Sequence, residues 1–353
     1  MNGKRRLGFS PAFWVLGFAL VASALAVAWW MLHLAGTHPY RQGDGRHPES
    51  YGFALGNLSL DRGSLVASGL PRDGIPALVD PAPLSPEALS TLGRRFLLPS
   101  DPVAGVVIHG QARAYPLRVL VFHELVNDRL GEEPILVVHQ PLCGLTAVLS
   151  RRLSARTLTF GHSGLLWNSC GIFYDRESQS LWFPLAGTAV AGPAVSQKLE
   201  FLPFTLTTWE RWQQTHPETT LVQPDLSRLA QYKRDPYSSY LGSDLLRFPV
   251  RPQLPAGYRR KAPLLVFNPG TRPYVVATET ADAGPTVLSL PGPLETPVEL
   301  VPVGHPPVWE VSLPHPEKQP PLLYAFAFAW YALHPEQDPQ TWVRLPRQSA
   351  HDT

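Results

Sequence analysis

Proline constrains this chain more than any other residue type. Thirty-nine of the 353 residues are proline, about double the usual share. Each one holds φ near about −65° and removes a backbone N–H, which excludes it from helix interiors and from central strands. Sixteen prolines fall between Pro252 and Pro321, so that stretch can form only short edge strands and turns. With 27 glycines in addition, the chain is turn-rich and helix-poor. It nonetheless has the material for a core, with 44% hydrophobic residues. Charged residues are only 16% and the formal net charge is +2. That composition excludes a highly charged disordered chain and supplies no basic field for nucleic acid.

The N-terminus carries a different signal. Lys4, Arg5 and Arg6 precede Ala12–Leu32, which is apolar apart from Gly17 and Ser23, and no further charge appears until Arg41. At about 1.5 Å per residue, such a helix spans a hydrocarbon core of about 30 Å. The small-residue sites Ala22-Ser23-Ala24 and Ala24-Leu25-Ala26 also suit a cleaved signal peptide, whose apolar region is shorter, about 7–15 residues. Trp29, Trp30 and Met31 extend the run past those sites, and the tryptophan pair fits an interfacial belt. Residues 12–32 are therefore expected to anchor the chain in a membrane. The basic flank stays in the cytoplasm, which for a bacterial chain means a single-pass inner-membrane protein with a periplasmic body.

Residues 1–36 then form the cytoplasmic tip and anchor, and 37–96 a tether with a short helix begun by Ser85-Pro86. A first α+β unit is expected over 97–225, a Pro-rich second unit over 226–345, and a tail over 346–353. In the first unit, Val103–Ile108 and Ala112–Tyr115 form a hairpin across His109-Gly110-Gln111. Pro116 opens a helix expected to run over Leu117–Asn127, followed by strands at Ile135–Gln140, Thr146–Leu153, Thr157–His162 and Gly171–Asp175. Thr207 or Thr208 caps a helix that stops at His216-Pro217. The hairpin stretch 106–115 is echoed by 265–274, and the helix end before His216-Pro217-Glu218 by that before His334-Pro335-Glu336. The expected class is α+β and β-rich, with two related hairpin–helix units, the second eroded, behind an N-terminal transmembrane helix.

Several motifs resemble one bacterial family. They include Arg113-Ala114-Tyr115-Pro116-Leu117, His123-Glu124, Pro141-Leu142-Cys143-Gly144, Phe160-Gly161-His162-Ser163-Gly164-Leu165-Leu166, Tyr174-Asp175-Arg176 and Thr207-Thr208-Trp209. The family is the domain of unknown function 3179, and the resemblance covers roughly residues 97–335. It implies no established activity. Where the family usually shows Tyr-Cys-Pro-Leu-Cys, this chain has His139-Gln140-Pro141-Leu142-Cys143, so Gln140 stands in the first cysteine slot and a Cys-x-x-Cys thiol redox motif is not available.

The candidate chemistry gathers near the two cysteines, Cys143 and Cys170. Three readings stand side by side. They can form a disulfide, as suits an exported domain. They can join His139, His162 and His123 in a mixed thiolate–imidazole set for a copper or zinc ion. They can also be two structural thiols. On the expected helix after Pro116, His123, Glu124 and Asn127 make a narrow polar stripe, either a solvated edge or the polar wall of a pocket in which Glu124 acts as a base. No P-loop, Gly-x-Ser-x-Gly, His-Glu-x-x-His or dinucleotide fingerprint occurs. The functional expectation is a metal-binding or redox module centred on Cys143. Its alternative is a non-catalytic binding or assembly module that meets an unidentified protein partner through exposed Trp167, Trp182 and Pro-rich surface.

Overall fold

A computed structural model describes residues 43–92, 96–270, 272–278, 284–289, 297–304 and 307–345, with the isolated positions 21, 23 and 27. Residues 43–353 cluster as one compact unit and residues 1–42 as another.

The frame of the larger unit is a nine-stranded sheet. Its order is Leu78–Val79, Leu125–Leu130, Glu133–Gln140, Leu145–Ser150, Leu322–Phe326, Pro263–Phe267, Tyr274–Ala277 and Val343–Arg344, with Phe201–Leu202 also pairing with Leu145–Ser150. The central strands are buried on both faces: Leu145–Ser150 is buried at every position. A five-stranded sheet packs alongside, ordered Leu65–Ala67, Phe160–Trp167, Cys170–Asp175, Leu181–Phe183 and Thr188–Ala191. Leu125, Leu136, Phe160, Phe173 and Trp182 share the resulting core. A second five-stranded sheet contains the hairpin Pro102–Ile108/Gln111–Pro116.

Four α-helices occur among the described residues: α1 (Leu117–His123), α2 (Trp209–Thr215), α3 (Ser238–Leu241) and α4 (Ala327–Leu333). None exceeds seven residues. This corrects the expected class. The body is β-rich, built from several sheets, rather than two α+β units, because strands expected in different units share the nine-stranded sheet. No described helix is long and apolar enough to cross a membrane. The expected anchor, residues 12–32, lies outside the described residues apart from positions 21, 23 and 27.

What the echoing stretches share is smaller than a unit. In one place, Thr205–Thr208 pairs antiparallel with the hairpin Pro102–Ile108/Gln111–Pro116 and leads through α2 to Thr220–Val222, parallel to the hairpin's other strand. In the other, Leu322–Phe326 pairs antiparallel with the hairpin Pro263–Phe267/Tyr274–Ala277 and leads through α4 to Val343–Arg344, again parallel. Both hairpins turn through a non-glycine residue at positive φ, His109 at 49° and Asn268 at 51°. Each helix stacks a tryptophan on the histidine four residues on: Trp212–His216 at 4.1 Å and Trp330–His334 at 4.4 Å between ring centroids.

One correction positions the site. The helix begun at Pro116 does not reach Asn127. It stops at His123 because Glu124 adopts the left-handed conformation, φ 55°, with its N–H donating to Leu120 O. The chain then becomes the strand Leu125–Leu130, paired residue by residue with Glu133–Gln140 across the turn at Gly131. A non-glycine residue held at positive φ costs of the order of 1 kcal/mol and persists only where its surroundings enforce it.

Candidate functional site: a buried carboxyl and imidazole in a small cavity

Glu124 sits at the junction of α1 and the large sheet. Its carbonyl accepts the N–H of His139, 2.8 Å, which locks the backbone and aims the side chain at the gap between the two sheets. Across that gap lies His162 on Phe160–Trp167, just before a register shift between His162 and Leu165. Both side chains are 8% exposed, and His162 Nε2 lies 3.8 Å from Glu124 Oε2. His162 Nε2 also lies 3.2 Å from His123 O. A carbonyl only accepts, so Nε2 carries the ring proton and Nδ1 is left as an acceptor.

These two residues line a cavity of about 160 Å³. Gln140 contributes the amide at its wall, donating to Gly171 O at 3.2 Å. Gly171 must be glycine for this, since a Cβ there would lie 2.4 Å from Gln140 Nε2. Leu70, Ile75, Leu142, Leu165 and Phe248 supply apolar lining, while Tyr237 and the exposed Arg247 stand at the rim.

Two straps hold the walls. Tyr51 donates to Leu70 O at 2.6 Å, and Asp73 N donates to His162 O at 2.9 Å. Arg72 lies over the rings of Phe53 and Tyr174, 4.4 and 4.1 Å from their centroids. On the other side, Tyr240 of α3 donates to Leu142 O at 2.7 Å. Buried Lys261 donates to Tyr240 O and Ser243 O and lies 3.3 Å from the Tyr240 ring centroid.

The electrostatics follow from burial. Burial pushes the Glu124 carboxyl up to about 8, partly opposed by the hydrogen bond from Gln140. Burial pushes His162 down to about 4. At neutral pH Glu124 is thus mostly the carboxylic acid and His162 the neutral imidazole. The Tyr237 phenol is pushed up to about 12 by burial and then by the Glu124 charge. The cavity therefore presents a carboxylic acid beside a neutral imidazole, with no net charge at this pair.

The remaining expected site residues have other partners. His123 is buried; its Nδ1 donates to Pro76 O and its Nε2 accepts from Tyr232 OH, both at 2.7 Å. His139 Nδ1 meets Thr146 Oγ1 at 2.9 Å on the neighbouring strand. Asn127 is not on a helix face but on a strand. It is fully buried, with Nδ2 donating to Phe160 O and Oδ1 accepting from Phe160 N. Cys143 and Cys170 are buried free thiols rather than a disulfide. They hydrogen-bond one another, and burial followed by the Cys143 thiol raises Cys170 well above its ordinary value. Cys143 also donates to Gln140 Oε1 at 3.6 Å. No group of three or more His, Cys, Asp or Glu among the described residues is arranged to hold a metal ion.

The expected aromatic docking surface is also corrected. Trp167 is 6% exposed and Trp182 fully buried, its Nε1 donating to Asp175 at 2.8 Å. Sequence reasoning missed Tyr237 and Arg247, which reach the rim from a region with no periodic pattern. It treated Gln140 only as an absent cysteine. A polar residue closing an otherwise apolar strand, Glu133–Gln140, was the available signal.

The family described as Protein of unknown function (DUF3179) matches residues 72–290, starting and ending earlier than the resemblance read from the motifs. No curated protein matches the chain, and no solved structure matches it.

Proposed function

The chain belongs to the family of proteins of unknown function DUF3179, and within it we propose a small-molecule-binding protein whose cavity presents a protonated Glu124 and a neutral His162 to an uncharged polar group. One observation carries this reading. A carboxyl 8% exposed, raised to about 8 by burial, lines a cavity 3.8 Å from an imidazole that is lowered to about 4. Oppositely perturbed neighbours of this kind are how proteins keep an acid and a base ready at one pH. A ligand carbonyl or hydroxyl oxygen can accept from Glu124 beside the His162 ring.

The cavity is preferred to a metal centre because His123, His139 and both thiols already have protein partners. The anchor reading of residues 12–32 is retained as part of the proposal, supported by the three basic residues before an uncharged run. It puts the cavity on the far side of the inner membrane.

Difference infrared spectroscopy of wild type against Glu124→Gln tests the core of the reading. Wild-type protein at pH 7 is expected to show the C=O band of a buried carboxylic acid, absent from the variant and lost above pH 9. A carboxylate spectrum at pH 7 for this residue would overturn it.

A further inference from the structure

The cavity has a second polar end. Arg247 lines it at the rim and is exposed, and among the described residues no carboxylate pairs with it. Its guanidinium lies 5.4 Å from the ring centroids of both Tyr237 and Tyr240. Such stacking fixes the plane of the fork and leaves its N–H edges available. Behind Tyr240, the Lys261 ammonium is consumed by Tyr240 O and Ser243 O, with Asp244, Arg260 and Arg247 acting on its charge. The lining also includes Leu70, Ile75, Leu142, Leu165 and Phe248. One small space therefore joins an exposed cation, apolar side chains and a buried carboxyl beside an imidazole.

We propose that the ligand is a short oxo-monocarboxylate: its carboxylate binds Arg247, its aliphatic middle lies on the leucine and isoleucine lining, and its inner carbonyl oxygen accepts from Glu124. This rests on the pocket reading above and adds the class of molecule. The cavity of about 160 Å³ has room for several water-sized groups, enough to seat a short ligand. A dicarboxylate is excluded beside Glu124, where a second charge would be buried without a cation. An unsubstituted acid leaves the inner donor unmet, and a ketone leaves the guanidinium unmet. The oxo acid satisfies both ends.

Three probes of nearly equal size separate these terms: 4-oxopentanoate, pentanoate and 2-pentanone. Each is titrated into full-length protein carrying 13C-labelled histidine, with the His162 ring resonance as readout. The expected result is that 4-oxopentanoate binds about tenfold or more tightly than either analogue, the step a charge-assisted or buried hydrogen bond provides. Arg247→Gln, at an exposed position, should bring 4-oxopentanoate to the level of 2-pentanone and leave 2-pentanone unchanged. Glu124→Leu should bring it to the level of pentanoate. If 2-pentanone binds as well as the oxo acid and Arg247→Gln changes neither, the ligand class is wrong and the pocket reading stands. If none of the three probes moves the His162 resonance, the pocket reading fails as well.

Discussion

Replacing Glu124 by glutamine isolates the contribution of one buried proton to folding. The folded carboxyl is pushed up to about 8 from an ordinary 4.5, so between those values the folded state holds a proton that the unfolded chain has released. Raising the pH through this interval therefore destabilises the protein, by about 1.4 kcal/mol per pH unit at full effect. His162 and His139 act in the opposite sense. Burial lowers each from 6.5 to about 4, so the unfolded chain takes up protons the folded state refuses, and stability rises with pH from about 4 to 6.5. Burial also lowers His123, His216 and His334. The two trends oppose one another until the unfolded histidines are fully neutral, about one pH unit above 6.5, and only Glu124 separates wild type from the glutamine variant. Among the groups facing Glu124, Tyr237 is pushed up to about 12 and stays neutral throughout, while Gln140 does not titrate. The Glu124 loss is about 2 kcal/mol, less wherever water reaches the carboxyl. Urea unfolding of both proteins at half-unit steps from pH 6 to 9 reads it directly. The histidine contribution is common to both proteins, so wild-type stability minus that of Glu124→Gln should fall by about 2 kcal/mol between pH 6.5 and 8 and level off above it. A difference that stays constant across that interval would refute the protonated carboxyl.

Three further outcomes follow from the geometry. Gln140→Leu removes the hydrogen bond that holds Glu124 down, so the pH at which the wild-type decline levels off should move upward; a downward move in the same urea series counts against the contact. Cys143 and Cys170 should give two reactive thiols in denatured, unreduced protein and none in native protein, since both are fully buried, and a count of zero after denaturation would show a disulfide. Trp212→Phe and Trp330→Phe each keep the stacked ring but lose an indole bond to the residue seven positions on, Thr219 at 2.8 Å and Gln337 at 3.0 Å; each should cost about 1 kcal/mol in equilibrium unfolding, and a much larger loss for one alone would break the equivalence of the two helices.

How much of this fold shows in the sequence depends on whether the deciding contact is local. The hairpin Pro102–Ile108/Gln111–Pro116 is legible because a β-branched run, a turn at His109-Gly110 and a return run lie together. The helix Trp209–Thr215 is legible because Thr208 accepts from Arg211 N at its start and Pro217 follows its end. Leu125–Leu130 is not. Leu125 and Val126 continue the apolar period of the preceding helix, and only the turn of Glu124 into φ 55° and pairing with Glu133–Gln140 decide for a strand. Nothing local announces that Leu322–Phe326 inserts between Leu145–Ser150 and Pro263–Phe267, because that pairing joins residues more than fifty apart in one direction and nearly two hundred in the other. Dense prolines between Pro252 and Pro321 pointed to short edge strands, yet Pro263–Phe267 lies inside the nine-stranded sheet, with its proline at the first position.

The site was harder to read because a list of residue types cannot show which buried groups are already satisfied. Three carboxylates are buried among the described residues and have different solutions. Asp128 is met by Arg113 Nη1 at 2.8 Å to both oxygens and by Tyr115 OH at 2.7 Å. Asp175 accepts from Ser178, from Ser180 N and from the indole of Trp182. Glu124, four residues before Asp128 and nearly as buried, has no cation or set of donors among the described residues comparable to these. Its neighbours are the Gln140 amide and an imidazole whose own protonation is disfavoured. A buried charge left in that state costs several kcal/mol, and binding a proton is the available relief. His123, His139, Asn127 and the two thiols looked equally chemical in the sequence, but their partners account for them as parts of the core. The carboxyl whose compensation is a proton rather than a protein group is the one that lines the cavity, and there a ligand can take over what the fold leaves open.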